Sequence, residues 1–285
     1  MKIYSNFDLT NYNSYKIKAS CKTAFFPENE EDVINFYKTK KPFTLLGSGH
    51  NIILSKEFYD TTFIIFNGNF NAINISSETG DIQAEAGITM LEISEIAQTN
   101  SLSGVEIFYD IPSSLGGAVV MNAGASGEEI KDVLVKVRYL DLIDMNVKEI
   151  HKEDMDFEYR NSFFQRNTDK VVLKVWLHLE KGSKEGIKNK MERIKEQRWA
   201  KQPKDFPNAG SVFKRPKGYY VGAIIDELNL KGYTVGGAKI SEKHGGFIIN
   251  FNNASGNDIL QIIRDVKSKV MDYFGVDLEV EQRII

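Results

Sequence analysis

Cysteine is nearly absent from this 285-residue chain, and a single Cys21 leaves neither an intrachain disulfide nor a cysteine-ligated metal cluster to build. Long apolar runs are missing too. No stretch approaches the roughly 18 residues that cross a bilayer, and the opening MKIYSNFDLT has no apolar signal-peptide core. There is no strong excess of one charge: 36 Lys and Arg stand against 39 Asp and Glu, a net −3 spread along the chain. That balance gives a polyanion no surface to bind, so no nucleic acid and no membrane partner is expected. The four histidines, at 50, 151, 178 and 244, show no ligand spacing, and no metal is expected. What remains is a cytoplasmic globular protein, expected as a monomer, large enough to bury a core and divide into two or three domains.

Strand and helix signals alternate through the first part. Asn29 caps a predicted helix reaching Lys38, with Val33, Phe36 and Tyr37 on one face. Phe43 to Leu46 reads as a buried strand, and Phe63 to Phe66 and Ile82 to Ala86 as further strands. Thr89 and Glu92 form a capping-box signal for a helix to about Gln98, whose apolar stripe includes Leu91, Ile93 and Ile96. Strands are expected over Val133 to Leu142 and Val171 to Leu179, the second alternating cleanly with one face buried. A charged helix over 183–202, with Ile187, Met191 and Ile194 inward, links this region to a compact unit. There a strand is predicted at 211–215, a helix near Val221 to Leu228, and strands near 234–240 and 246–251. A helix from Asn257 to Phe274 is supported by Ser255 and Asp258 and closed by Gly275, and a last alternating strand runs from Val276 to Ile285.

Three segments carry chemistry. The turn Gly47-Ser48-Gly49-His50-Asn51 follows an apolar strand and offers successive backbone N–H groups suited to a diphosphate. Alone it reads more readily as a plain strand-to-strand turn, and Ile52 stands where a dinucleotide fingerprint would have its third glycine. The second, from Ile111 through Ser113, Ser114, Gly116 and Gly117 to Asn122 and Ala125, is small enough for backbone to approach a flat, extended cofactor closely. The third, Pro-Asn-Ala-Gly-Ser-Val-Phe-Lys-Arg-Pro over 207–216, puts Ser211 at a tight turn beside two cations, Lys214 and Arg215. Elsewhere, Arg160 after an acidic stretch reads alone as an ion-pair partner, His244 as a loop histidine, and Glu279 with Glu281 as a solvated strand face.

Together the three segments resemble the UDP-N-acetylenolpyruvoylglucosamine reductase family over nearly the whole chain. The resemblance implies an α+β fold: an FAD-binding domain of the vanillyl-alcohol-oxidase (PCMH) type plus a smaller α+β substrate-binding domain. It implies a flavin region over 1–200, with lobes of about 1–67 and 68–200. The substrate domain would span 201–275, and a strand over 276–285 would return to the flavin side. FAD would be held by Gly47, Ser48, Gly49, His50 and Asn51 at its diphosphate, with Ser114, Gly116 and Gly117 along the diphosphate and ring. NADPH would give hydride to FAD, which would pass it to C3 of UDP-N-acetylglucosamine enolpyruvate. Ser211 would donate a proton to C2, and Arg160 and Glu281 would stabilise the enolate-like charge. Arg215, Lys231 and His244 would meet the UDP portion, with Lys201 helping to neutralise the diphosphate.

The family's C-terminal Leu-Glu-Pro-Glu-Val-Arg pattern reads here Leu278-Glu279-Val280-Glu281-Gln282-Arg283, so Glu281 rather than Glu279 is the implied catalytic carboxyl. Where the family usually has glycine in the flavin loop, this chain has Asp110 and Ser113. The gap from Arg160 to Ser211, 211 − 160 = 51 residues, is that of the subgroup lacking the tyrosine-bearing substrate loop. Two other readings stay open. Another FAD oxidoreductase of the same fold, acting on an alcohol or lactone, would keep the two glycine-rich loops, and a non-catalytic UDP-sugar-binding protein would keep the cations.

Overall fold

Caps written in the sequence set most helix boundaries in the structure, a computed structural model that describes residues 1–285. Helix α1 (Glu30–Lys38) starts where the Asn29 side chain accepts from Asp32 N, and α2 (Met90–Thr99) where Thr89 and Glu92 close a reciprocal capping box. The inward face of α2 is Met90, Ile93, Ser94 and Ala97, the i, i+3, i+4, i+7 set, and Leu91 of the expected stripe is exposed. Helix α3 (Leu115–Met121) forms within the stretch read as a loop. Two glycines weaken it by propensity, but Leu115, Ala118, Val119 and Met121 are buried, and packing decides. It ends on Asn122 in the left-handed region, at φ 44°. A single turn, α4 (Phe163–Arg166), is capped by Ser162.

The charged helix is α5 (Lys184–Lys201), with Ile187 and Met191 buried and Ile194 half-buried. Helix α6 (Val221–Glu227) is short. Helix α7 (Gly256–Phe274) has the Ser255–Asp258 capping box and stops at Gly275, whose φ of 65° suits a residue without a Cβ. No helix is long and apolar enough to cross a membrane.

By packing, the chain divides into two units. The first holds Met1–Tyr4, Thr23–Ser48 and Thr61–Gln197, and the second holds Ser5–Lys22, Gly49–Asp60 and Arg198–Ile285. In the first, an antiparallel sheet places its strands in the order Asn146–His151, Leu134–Asp141, Lys170–His178, Asp81–Glu85, Ile73–Ile75. Its apolar side chains join α2 and α3 in one core that includes Ile82, Ala84, Val137, Val175, Ile93 and Val119. The expected clean alternation of the Lys170–His178 strand is broken. Arg138 pairs with Lys174 and Tyr139 with Val172, so Leu173 is a bulge residue, and Val171, Val172 and Leu173 are all buried. The Phe43–Leu46 strand pairs in parallel with Phe58–Ile65 at the end of a four-stranded sheet. As an edge strand it buries only Leu46, less than its apolar sequence predicts.

In the second unit a small antiparallel sheet (Thr234–Val235, Ala238–Ile240, Ile248–Asn250) packs against α7, which buries Ile259, Ile262, Ile263, Val266 and Val270. The strand expected at 211–215 is reduced to two isolated bridges, Ser211 to Phe247 and Phe213 to Val280. The strand expected over 276–285 is likewise short. Only Arg283–Ile284 forms a regular pair, parallel to Ile52–Ile53. Alternation had marked a half-buried segment correctly, but its partners change along its length.

Candidate active site

In the first unit the two glycine-rich segments meet. The Phe43–Leu46 strand delivers Gly47 and Ser48, and Ser114 N donates to Ser48 Oγ at 3.0 Å across 66 residues of sequence. A Cβ on Gly47 would stand 2.5 Å from Ser114 Oγ, so glycine is what lets the loops close. Ser114 caps α3 by accepting from Gly117 N at 3.3 Å. Gly116 N donates to Ala86 O at 2.9 Å, and Ala86 N donates to Leu173 O, the bulge carbonyl, also at 2.9 Å. The sheet irregularity therefore seats the loop. The N–H groups of Gly116 and Gly117 are engaged within the protein. A Cβ on buried Gly116 would stand 3.0 Å from Ala86 Cβ, so that glycine serves packing of α3 on the sheet, while Gly117 is exposed. Ser113 Oγ is different: it is buried and makes no hydrogen bond within the protein. Such atoms call for a partner, and an oxygen-rich cofactor edge fits.

Arg160 belongs to the same unit. It sits in a turn closed by Glu158 N to Asn161 O at 3.1 Å and has a left-handed φ of 53°, which is strained for a side chain of this size. Its guanidinium donates to Gly124 O at 2.7 Å and Asn122 O at 3.3 Å, the chain just beyond α3. Asn122 is fully buried and donates to Glu158 O and Glu129 Oε2, both at 2.9 Å. Arg160 is thus built into the glycine-rich segment. Of the acidic stretch before it, Asp156 lies 4.0 Å and Glu158 3.9 Å from Arg166.

In the second unit Ser211, Glu281 and the Gly49–Asn51 half of the first turn come together. Gly49 has φ 72°, and a Cβ there would lie 2.0 Å from Tyr12 O. His50 is half-buried. Asn51 Nδ2 donates to Glu281 O at 3.2 Å, and Arg283 N returns a bond to Asn51 O at 3.0 Å. Glu281 N donates to Val212 O at 2.8 Å, which sets the glutamate beside the serine turn. Asn208 Oδ1 accepts from Gly210 N at 3.2 Å, and Gly210 takes φ 80°, so the turn ahead of the exposed Ser211 is an Asx turn that requires glycine.

Comparison with known proteins fits this geometry. The family description "UDP-N-acetylenolpyruvoylglucosamine reductase, C-terminal domain" matches residues 202–285, and "FAD binding domain" matches residues 22–146. A UDP-N-acetylenolpyruvoylglucosamine reductase of Caldanaerobacter subterraneus subsp. tengcongensis is 41% identical over 288 residues, covering 100% of this chain and 94% of that one. One from Francisella tularensis subsp. tularensis is 39% identical over 279 residues, covering 97% and 98%. The chain belongs to the UDP-N-acetylenolpyruvoylglucosamine reductase family. A solved UDP-N-acetylenolpyruvylglucosamine reductase from Thermus caldophilus superposes with a TM-score of 0.83 at 30% identity, covering 99% of this chain and 98% of that one. The expected α+β architecture, a flavin-binding domain followed by the family's C-terminal domain, holds, and the chain is an FAD-dependent oxidoreductase.

The remaining expected residues of this reductase family member are scattered over the second unit. Lys231 Nζ lies 2.7 Å from Asp226 Oδ1, and both charges act on His244. Burial, reinforced by Lys231, pushes His244 below its ordinary value, so it is neutral at pH 7. Its Nδ1 accepts from Gly246 N at 3.1 Å, leaving Nε2–H as a donor. His244 therefore differs from the cations with which it was grouped. Arg215 lies over the Tyr220 ring at 3.8 Å, and Lys201 is exposed at the end of α5. Lys214 pairs with Glu279 at 2.6 Å. Sequence reasoning passed over Tyr15 and Gln282, whose buried hydrogen bond at 2.9 Å spans 267 residues. The only signal for them was a polar residue in an otherwise apolar-alternating segment.

Proposed function

We propose that this chain reduces the enolpyruvyl ether of UDP-N-acetylglucosamine to the lactyl ether, UDP-N-acetylmuramate, for peptidoglycan precursor synthesis, with NADPH as reductant. The observation that carries the reading is the pairing of the Ser211 turn with the Glu281 segment, Glu281 N to Val212 O at 2.8 Å, in a chain of this family. When bound, FAD supplies the hydride relay between NADPH and the substrate. Gly47, Ser48, Gly49, His50 and Asn51 would hold its diphosphate, with Ser114, Gly116 and Gly117 lying along it. The protein's own part is proton and charge handling. Addition of hydride at C3 leaves an electron pair and enolate-like charge at C2 and its carboxylate. Arg160 supplies a fixed positive charge for that carboxylate, and Glu281 shares a proton with the enolic group. Ser211 then gives its hydroxyl proton to C2. Serine is a weak acid, so the step depends on the carbanionic character of the acceptor. Lys201, Arg215 and Lys231 neutralise the UDP charge, and His244 donates from Nε2. The expected division into a flavin region over 1–200 and a substrate region over 201–275 is part of this proposal.

The test is NADPH oxidation that depends on the enolpyruvyl sugar. Ser211→Ala should leave flavin reduction by NADPH intact and slow reoxidation by the sugar about 10²–10⁴-fold. Equal slowing of both half-reactions would make Ser211 structural. Flavin that an alcohol or lactone reduces, with no sugar-dependent NADPH oxidation, would favour another enzyme of the same fold.

A further inference from the structure

Gln282 directly follows Glu281 and is 3% exposed, yet the mechanism above leaves it idle. Its carboxamide is fully engaged. Oε1 accepts from the Tyr15 hydroxyl at 2.9 Å, while Nε2 donates to Ala209 O at 3.0 Å, with Gly210 O at 3.3 Å and Ser211 O at 3.4 Å sharing that donor. Tyr15 is itself fully buried, and its carbonyl accepts from Asn250 Nδ2 at 2.8 Å. Burial also holds its phenol protonated, so the hydroxyl proton is present to donate to Gln282 Oε1 at neutral pH.

The backbone alone joins the serine turn to the Glu281 segment loosely. Around the single Phe213–Val280 bridge there are two bonds, Lys214 N to Glu279 O at 2.9 Å and Glu281 N to Val212 O at 2.8 Å. All three lie on the far side of Ser211 from the Asx turn. Gln282 adds the missing restraint, gripping the carbonyls of the turn itself. Adjacent residues of an extended chain face opposite ways, so the inward anchoring of Gln282 fixes the outward direction of Glu281. A buried amide is costly unless satisfied, and valine, which stands here in the family pattern, would fill the place without that risk. A satisfied amide is directional where valine is not.

We propose that Gln282, held by Tyr15, is a positioning residue that sets the 209–211 turn against the Glu281 segment, so that the serine hydroxyl and the glutamate carboxyl address one reacting group. This rests on the assignment of Ser211 and Glu281 made above.

The test is stopped-flow kinetics on the FAD-loaded enzyme. Gln282→Val should leave flavin reduction by NADPH and the KM for the enolpyruvyl sugar near wild type, and slow flavin reoxidation about 10- to 100-fold, the cost of a small misplacement. Gln282→Glu adds a readout that a purely structural role would not move. The introduced carboxyl, when neutral, accepts from Tyr15 and donates to one carbonyl; its anion faces three carbonyl oxygens. The reoxidation rate relative to wild type should therefore fall as pH rises through that titration. Tyr15→Phe, which keeps the carbonyl bonds, should show a milder defect and serves if the charged variant does not fold. Normal reoxidation in Gln282→Val, equal slowing of both half-reactions, or a flat relative pH profile overturns the proposal. Glu281→Gln run alongside separates the two claims. If that variant is slow while Gln282→Val is normal, only the positioning role fails. If it is normal, the assignment of Glu281 fails first.

Discussion

Glu279 and Glu281 are chemically identical and two residues apart, and alternation puts them on one face. Their surroundings differ. Glu279 is 69% exposed at its side chain and ion-paired to Lys214 at 2.6 Å, whereas Glu281 is half-buried beside the serine turn and Asn51. With the Glu279 carboxylate well solvated the pair contributes little, about 0–1 kcal/mol, although the Lys214 side chain is only 19% exposed. Glu279→Gln should therefore be nearly silent, while Glu281→Gln should slow flavin reoxidation by roughly 10²–10⁴-fold and leave UDP-sugar binding little changed. Side-by-side stopped-flow traces decide it, and the reverse pattern would assign the carboxyl role to Glu279. At this scale the residue types were legible and their states were not. The alternation of 276–285 exposed a face but not that Glu279 is paired with Lys214. His244 could be named from sequence, yet its neutrality comes from burial, which only the fold sets.

Among elements, α5 shows how a charged helix is held. Ile187 and Met191 are its buried residues, and Lys190 reaches Glu106 at 3.3 Å and Glu128 at 3.1 Å. The Glu106 side chain is 1% exposed and accepts from Ser103 Oγ and, at 3.0 Å, from Gly104 N. Burial works to raise its pKa, but the Ser103 and backbone hydrogen bonds with the Lys190 charge together hold it below its ordinary 4.5. A carboxyl depressed in the folded state adds stability above its unfolded value, and that stability disappears as pH falls through the folded value. Glu106→Gln should thus destabilise the protein by about 1–3 kcal/mol at neutral pH, with the gap to wild type closing below pH 4.5. Urea titrations at both pH values check this, and a gap independent of pH would refute it. Helix ends such as Asn29, Thr89 and Ser255 were readable because a cap is a bond across three residues. Helix α3 and the Leu173 bulge were not, since packing and cross-strand register create them.

For the molecule as a whole, FAD binding and folding are linked. Free FAD at about 100 times its dissociation constant would stabilise the folded state by about 2.7 kcal/mol. The purified protein should be yellow. Removing FAD should lower the melting temperature by about 5–10 °C, and FAD rather than FMN should restore it. Identical melting with and without FAD would remove the structural case for the two loops as its site. By itself the sequence determined the fold class, the family, most helix ends and the kinds of residue at the site. These follow from local hydrogen bonding, from periodicity and from short motifs whose spacing is written in the chain. That residues 5–22 and 49–60 fold with 198–285, and that Tyr15 meets Gln282, emerges from the packed molecule alone. So do the meeting of Ser48 with Ser114 and the bulge carbonyl that seats Ala86 and Gly116. These pairings join segments tens to hundreds of residues apart, and they are selected by which buried polar groups and apolar faces satisfy one another at the same time.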